Sequence, residues 1–498
     1  MNARGWVLLG IALTLAAAGS APRARAESQA PEKAPPNIVV ILADDLGYGD
    51  LSCQGAKGFQ TPRLDRMARE GVRFTNFRVA QPVCTASRAA LLTGCYPNRV
   101  GLEGALNHTS QVGINPAETL LSELCRSRGY ATAIFGKWHL GHAPLFHPLQ
   151  HGFDEFFGIP YSNDNGPLHP TLKNLPALPL YDGEKIVERD PDQSQFTRRL
   201  TDRAIAFLKR CHEREQPFFL YLPHIMPHVP IFASAKYRGA TRRGLYGDVV
   251  EELDASVGEI LDTLKQLGLE GKTLVFFLSD NGPFLSYGDH AGSAGPLREG
   301  KLSTWEGGVR VPCLVRWPGR VPAGVVSDAP WESIDLLPTI ATLIDAPLPT
   351  LPIDGRDVRA LLLGEPTDPD AREAFYYYAG QELQAVRWGR WKLHFPHDYL
   401  TVDGEPGKEG KPAGFGRMKP APSTQSGLAG IASRHGYKIA RTGLALYDIQ
   451  NDPGEQHDLA GQEPGIVKKL QVLADVARED LGDTLSGRMG TGLRPVGL

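Results

Sequence analysis

Four stretches of this chain run apolar for five to seven residues and then break into charged, amide or imidazole residues. They are Asn37–Ala43 before Asp44-Asp45, 131–135 before Gly136-Lys137-Trp138-His139, 218–222 before a Pro- and His-rich segment at 223–230, and 273–278 before Ser279-Asp280-Asn281. Runs of this kind, β-branched and aromatic without polar alternation, read as strands buried on both faces. A fifth is read over 312–317. Between them, Thr61-Pro62 opens a helix that Gly71 closes, and 118–128 reads as a helix stopped by Gly129. Val250, Leu253, Val257, Leu261 and Leu264 recur at helical spacing up to Gly268. Strands alternating with helices predict an α/β fold: one large, mostly parallel sheet sandwiched by helices.

The texture changes near 364–370. Beyond it, 374–378, 385–395 and 444–449 read as strands of a smaller antiparallel sheet, and 466–479 as a last helix, which predicts a smaller α+β domain. The expected division is 37–365 for the large domain and 366–498 for the small one. Within the latter, 403–434 is rich in Gly, Pro, Lys and Ser, has no periodicity and reads as a long loop. With 498 residues there is room for both units.

At the other end, Arg4, an apolar run from Trp6 to Ala18 and Ala24-Arg25-Ala26 have the layout of a cleaved leader over 1–26. Residues 27–36 read as a flexible lead-in. No later run is long enough to span a bilayer, so the expectation is an exported protein, periplasmic or secreted, with no stable membrane anchor. A net charge of -3 gives no basis for nucleic-acid binding. The six cysteines are sparse and form no CxxC pair, which argues against a zinc ribbon and implies no disulfide framework.

In an open parallel sheet, sites form at the carboxyl ends of the strands. One sheet would therefore gather Asp44, Asp45, Lys137, His139, His228, Asp280 and Asn281 along a single edge. Three carboxylates and an amide oxygen crowded together are unfavourable unless a cation lies among them, and all-oxygen ligands suit Ca²⁺ or Mg²⁺ over Zn²⁺. The other prominent stretch runs from Pro82 to Gly94. It reads as a turn into a helix, with Cys84 at the N-terminus, where the helix dipole favours a thiolate.

Cys84-Thr85-Ala86-Ser87-Arg88, followed by Leu91-Leu92-Thr93-Gly94, resembles the signature of type I sulfatases, with Ala86 where the commonest form has Pro. Gly136 to Gly141 resembles the second signature of that family. Pro227-His228-Val229-Pro230, Gly300-Lys301 through Arg310, Gly158 to Asp164 and Leu446 to Glu455 are also similar to family motifs, the Gly158 stretch to the arylsulfatase A branch. The resemblance implies an alkaline-phosphatase-like fold and hydrolysis of sulfate monoesters to an alcohol or phenol plus inorganic sulfate. It implies that Cys84 is converted to formylglycine (3-oxoalanine) by a formylglycine-generating enzyme, and that Ca²⁺, with Mg²⁺ the second choice, is held by Asp44, Asp45, Asp280, Asn281 and the modified residue 84.

On the same resemblance, Lys137, Ser162, His228 and Lys301 bind the sulfate and Arg88 fixes residue 84. Asp280 helps to activate the nucleophile, His228 or Lys301 protonates the leaving group, and His139 takes the proton that releases sulfate. The substrate is then a small-molecule or glycan sulfate ester. Two other readings stay open at this stage. One is a phosphomonoesterase or phosphonate monoester hydrolase on the same scaffold; the other is a non-catalytic binder of sulfated glycans, if Cys84 is left unmodified.

Overall fold

In a computed structural model, residues 35–367 and 372–498 are described. The leader at 1–26 and all but the last two residues of the 27–36 lead-in lie outside them, as do four residues beside the expected division at 365/366. Among the described residues no helix is long and apolar enough to cross a membrane.

The four apolar runs are strands Asn37–Ala43, Ala131–Lys137, Phe218–Pro223 and Thr273–Ser279, and they lie side by side in a ten-stranded sheet. Asn37–Ala43 sits between Thr273–Ser279 and Phe218–Pro223, parallel to both, and Phe218–Pro223 is followed by Ala131–Lys137 and Glu155–Ile159, again parallel. Cys313–Arg316 runs antiparallel to Thr273–Ser279.

The reason for unbroken apolar runs is visible in the central strand. Ile38, Val40 and Leu42 point into one core and Val39, Ile41 and Ala43 into the other, so both faces are dry. Helices Pro62–Arg69, Phe196–Glu213 and Leu245–Gln266 cover one face; Cys84–Thr93, Leu121–Ser127 and Leu336–Leu343 cover the other. Gly136 has φ 138°, and a Cβ there would fall 1.8 Å from the Pro223 carbonyl oxygen. Only glycine lets the two strands close up as they enter the site.

The smaller sheet is antiparallel, in the order Phe375–Ala379, Glu382–Trp388, Trp391–His394, Ala445–Asp448. Helix Pro464–Leu481 packs Leu470, Leu473, Ala474, Ala477 and Leu481 onto it. The expected single strand over 385–395 is in fact two, because Gly389 at φ 54° turns the chain back into a hairpin. The loop expected over 403–434 is likewise corrected: it contains all but the last residue of helix Gly427–His435, which packs beside a ribbon of His397–Val402 and Tyr437–Thr442.

The last residues return to the large sheet's side of the molecule. Gly497 and Gly113 exchange both backbone hydrogen bonds (3.1 and 2.9 Å), the Arg494 amide donates to Arg99 O (2.7 Å), and the Arg494 guanidinium grips Glu118 at 2.7 and 2.8 Å.

Candidate active site

Helix Cys84–Thr93 is buried along its whole length, beginning at Cys84 after an extended Val83 and ending at Gly94 in the left-handed conformation. Cys84 is 2% exposed and lies in the wall of a cavity of about 730 Å³. Lys301 Nζ is 3.4 Å from its Sγ. One turn on, Arg88 is completely buried; Nε and Nη2 both donate to Asp280 Oδ2 (3.0 and 2.8 Å), and Nη1 donates to the Lys137 carbonyl (2.7 Å).

The strand ends converge as expected. Lys137 Nζ donates to Asp44 Oδ2 at 2.6 Å, and Lys301 Nζ to Asp45 Oδ1 and Oδ2 at 2.8 and 3.0 Å. Asn281 Nδ2 donates to Asp45 Oδ1 (2.7 Å), and the Asp45 amide donates to Asp280 Oδ1 (3.1 Å). Asp45 and His139, each just past a strand, have φ of 67° and 66°. Non-glycine residues held in that region are strained, and such strain gathers at functional sites.

The two histidines stand in opposite environments. His139 Nε2 faces the Leu106 carbonyl at 2.7 Å, and its Nδ1 has no protein partner. Burial and then Lys137 hold it well below the ordinary imidazole value, so it is neutral. His228 Nδ1 donates to the Val229 carbonyl (2.5 Å), its Nε2 is 3.7 Å from Asp45 Oδ2, and Ser162 Oγ is 3.3 Å from that Nε2. Burial and Lys301 pull His228 down, but Asp45 and Asp44 outweigh them and raise it. A pair of titratable groups driven apart in this way is the usual arrangement for one acid and one base.

The carboxylates divide in the same manner. Burial works to raise Asp44, yet Lys137, His228, Arg88 and Lys301 together hold it well below the carboxylate range. Asp280 is pushed up to about 6 by burial and then by Asp44.

The residues fit a divalent cation. Ligand atoms of Asp44, Asp45, Cys84 and His228 all lie within 4.8 Å of one another. Asp44 Oδ1 and Asn281 Oδ1 are buried with no hydrogen-bond partner, a costly state that a cation would relieve. Asp280 is beside this set with both oxygens engaged by Arg88 and the Asp45 amide.

Asp164 closes the Gly158–Asp164 stretch singled out in the sequence, and Asn165, His169, Leu172 and Leu175 follow it into the pocket; Ser423, Leu428, Ile431 and Arg434 come from the stretch read as a loop, with His435 just past it. His224, by contrast, is a packed structural residue: it is buried with Nε2 3.3 Å from Ser256 Oγ, and burial pushes it down to about 3.

Known proteins share this arrangement of sequence and fold. The sulfatase family model matches residues 36–346, and the model for the C-terminal region of aryl-sulfatase matches 370–487. N-acetylgalactosamine-6-sulfatase of Canis lupus familiaris is 42% identical over 410 residues, 79% of this chain and 76% of that protein. Arylsulfatase A of Homo sapiens is 38% identical over 470 residues, 88% and 87% of the two chains. The crystal structure of PsFucS1 sulfatase from Pseudoalteromonas sp. is similar with a TM-score of 0.75 at 27% identity, covering 93% of this chain and 92% of that one. Matched over most of its length in both sequence and fold, the chain belongs to the sulfatase family and is an enzyme that hydrolyses sulfate esters.

Proposed function

We propose that this is an exported, arylsulfatase-like sulfuric ester hydrolase whose nucleophile is formylglycine made from Cys84 and whose cation is Ca²⁺. The observation that carries the reading is Cys84 itself. It opens a buried helix in the cavity wall, 3.4 Å from the Lys301 ammonium and within 4.8 Å of the Asp44 and Asp45 carboxylates. The leader over 1–26, removed on export, and the catalytic and C-terminal parts at 37–365 and 366–498 complete the reading.

As formylglycine, residue 84 would supply a hydrated aldehyde, one hydroxyl to attack sulfur and a second through which sulfate leaves. Ca²⁺, held by Asp44, Asp45, Asn281, Asp280 and residue 84, would supply positive charge next to the sulfate oxygens. The rest falls to the chain's own side chains. Arg88 clamps Asp280 and the Lys137 carbonyl and so fixes the floor beneath residue 84. Lys137 and Lys301 provide positive charge where it builds up on the sulfate oxygens, and Ser162 and His228 add donors. His228, raised by Asp45 and Asp44 against burial, suits protonation of the leaving oxygen. His139, neutral with Nδ1 free of protein partners, suits removal of the proton that expels sulfate.

The test is mass spectrometry on the tryptic peptide 79–88 from protein made in its own host, joined to sulfate release from p-nitrophenyl sulfate. Conversion of Cys84 together with turnover supports the reading. Turnover by an unconverted cysteine, or full activity of Cys84→Ser, overturns it. A Ser hydroxyl has no second oxygen and would leave the enzyme sulfated.

A further inference from the structure

Beyond the sulfate-binding groups, the cavity lining is of two kinds. Leu172, Leu175, Leu400, Leu428 and Ile431 make it apolar in part. Leu428, Ile431 and His435 are spaced three and four residues apart on helix Gly427–His435, so a single face of that helix is turned to the ligand. The lining also carries the carboxyl groups of Glu103, Asp164 and Glu382, with Asp164 near His169, His435 and Arg434.

Apart from Lys301 at the sulfate site, Arg434 is the only Lys or Arg among the described lining residues, and its Nη1 is turned to the Pro422 and Gln425 carbonyls at 2.8 Å each. His169 and His435 also line this region. Burial drives both below the ordinary imidazole value. Burial would raise Asp164, but positive charge nearby, that of His228 first, holds it below the usual carboxylate range. The outer pocket is therefore half apolar and sets three carboxyl groups against one guanidinium, that of Arg434.

We propose that the pocket takes sulfate monoesters whose alcohol or phenol part is uncharged and presents an apolar face, and turns away esters that carry a second anionic group. A second sulfate or a carboxylate would face Asp164 and Glu382, with Arg434 the one further Lys or Arg among the described lining residues and its Nη1 already turned to backbone carbonyls, and such like-charge contact is unfavourable. The ring or chain next to the reacting oxygen would instead rest on Leu428 and Ile431. The inference depends on the sulfate-ester reading of the same pocket and narrows its substrate class.

The experiment compares two probes of nearly equal size, methyl 4-(sulfooxy)benzoate and its free acid 4-(sulfooxy)benzoate, on the intact enzyme above pH 6. The expected kcat/KM is about tenfold or more higher for the neutral ester, the size of one like-charge contact in a partly screened site. The double variant Asp164→Asn/Glu382→Gln should close most of that gap by improving KM for the acid. Leu428→Ser should raise KM for both probes several-fold and leave the gap in place. Equal kcat/KM on the two probes, or a gap unchanged in the double variant, would overturn the inference and leave sulfate-ester hydrolysis standing. No sulfate released from either probe would overturn both.

Discussion

Arg88 places two nitrogens, Nε and Nη2, on one oxygen of Asp280 at 3.0 and 2.8 Å, with both side chains fully buried. The guanidinium is committed on its third side to the Lys137 carbonyl, so a single residue ties the Cys84 helix to two strand ends. A lysine cannot reproduce that fork.

Arg88→Lys is expected to lower kcat on p-nitrophenyl sulfate by about 100-fold or more, a loss typical when preorganised charge is disturbed. Removing one partner of such a buried pair costs about 3–5 kcal/mol of stability, which urea denaturation of Arg88→Ala would read. A variant with wild-type kcat and midpoint would remove the clamp from the account.

A second buried charge group joins the small sheet to the segment that carries Lys301. Lys392 Nζ meets Glu306 at 3.1 Å and Glu455 at 2.9 Å, Arg78 meets Glu306 at 3.1 Å, and all of these side chains are inaccessible. Trp305 stacks on His394 at 4.1 Å in the same place. Lys392→Met should therefore cost about 3–5 kcal/mol by leaving Glu306 and Glu455 short of positive charge. The double variant Lys392→Met/Glu455→Gln should regain part of it, measured by urea denaturation. Equal losses in the single and double variants would argue against this pairing.

Asp50 predicts a pH effect on stability. Burial pushes its carboxyl up to about 7, against donors from the Tyr246 hydroxyl and the Ser293 and Gly47 amides. Between the unfolded value of about 4 and 7, the folded state holds more protons than the unfolded one, so this residue's contribution falls as pH rises through that window. Asp50→Asn removes the titration. The melting temperature of the variant relative to wild type should climb from pH 4.5 to 7.5; a flat difference would contradict the raised value.

Chelation gives a fourth test. Enzyme stripped with EDTA and dialysed should lose sulfatase activity, and added Ca²⁺ should restore it. Binding to the folded state alone stabilises by about 2.7 kcal/mol at a hundredfold excess over Kd, so the melting temperature should rise with Ca²⁺. Asn281→Ala should weaken that rise. A melting temperature indifferent to Ca²⁺ and Mg²⁺ alike would count against the site.

The catalytic floor was legible in the sequence for a physical reason. Strands buried on both faces need continuous apolar runs, so Asp44, Lys137 and Asp280 stand out as the first charges after them. The same logic does not reach the helix over the pocket, which the sequence offers only as part of an aperiodic stretch. Helix Gly427–His435 has only Leu428 and Ile431 as large apolar residues, with Gly427 and Gly430 lowering its helix propensity, and it is held by packing near the ribbon His397–Val402 and Tyr437–Thr442. Asp164 and His435 lie hundreds of residues apart, and only their tertiary placement brings them to one cavity. The hairpin at Gly389 was hidden because two strands with matching apolar content read as one long one.

The hold of Arg494 and Gly497 on Arg99, Glu118 and Gly113 sets an order of events during synthesis. Those contacts brace the segment directly after the Cys84 helix, and the chain reaches them some 400 residues after Cys84 is made. The bracing of that segment is therefore completed late, after residues 494–497 have been made.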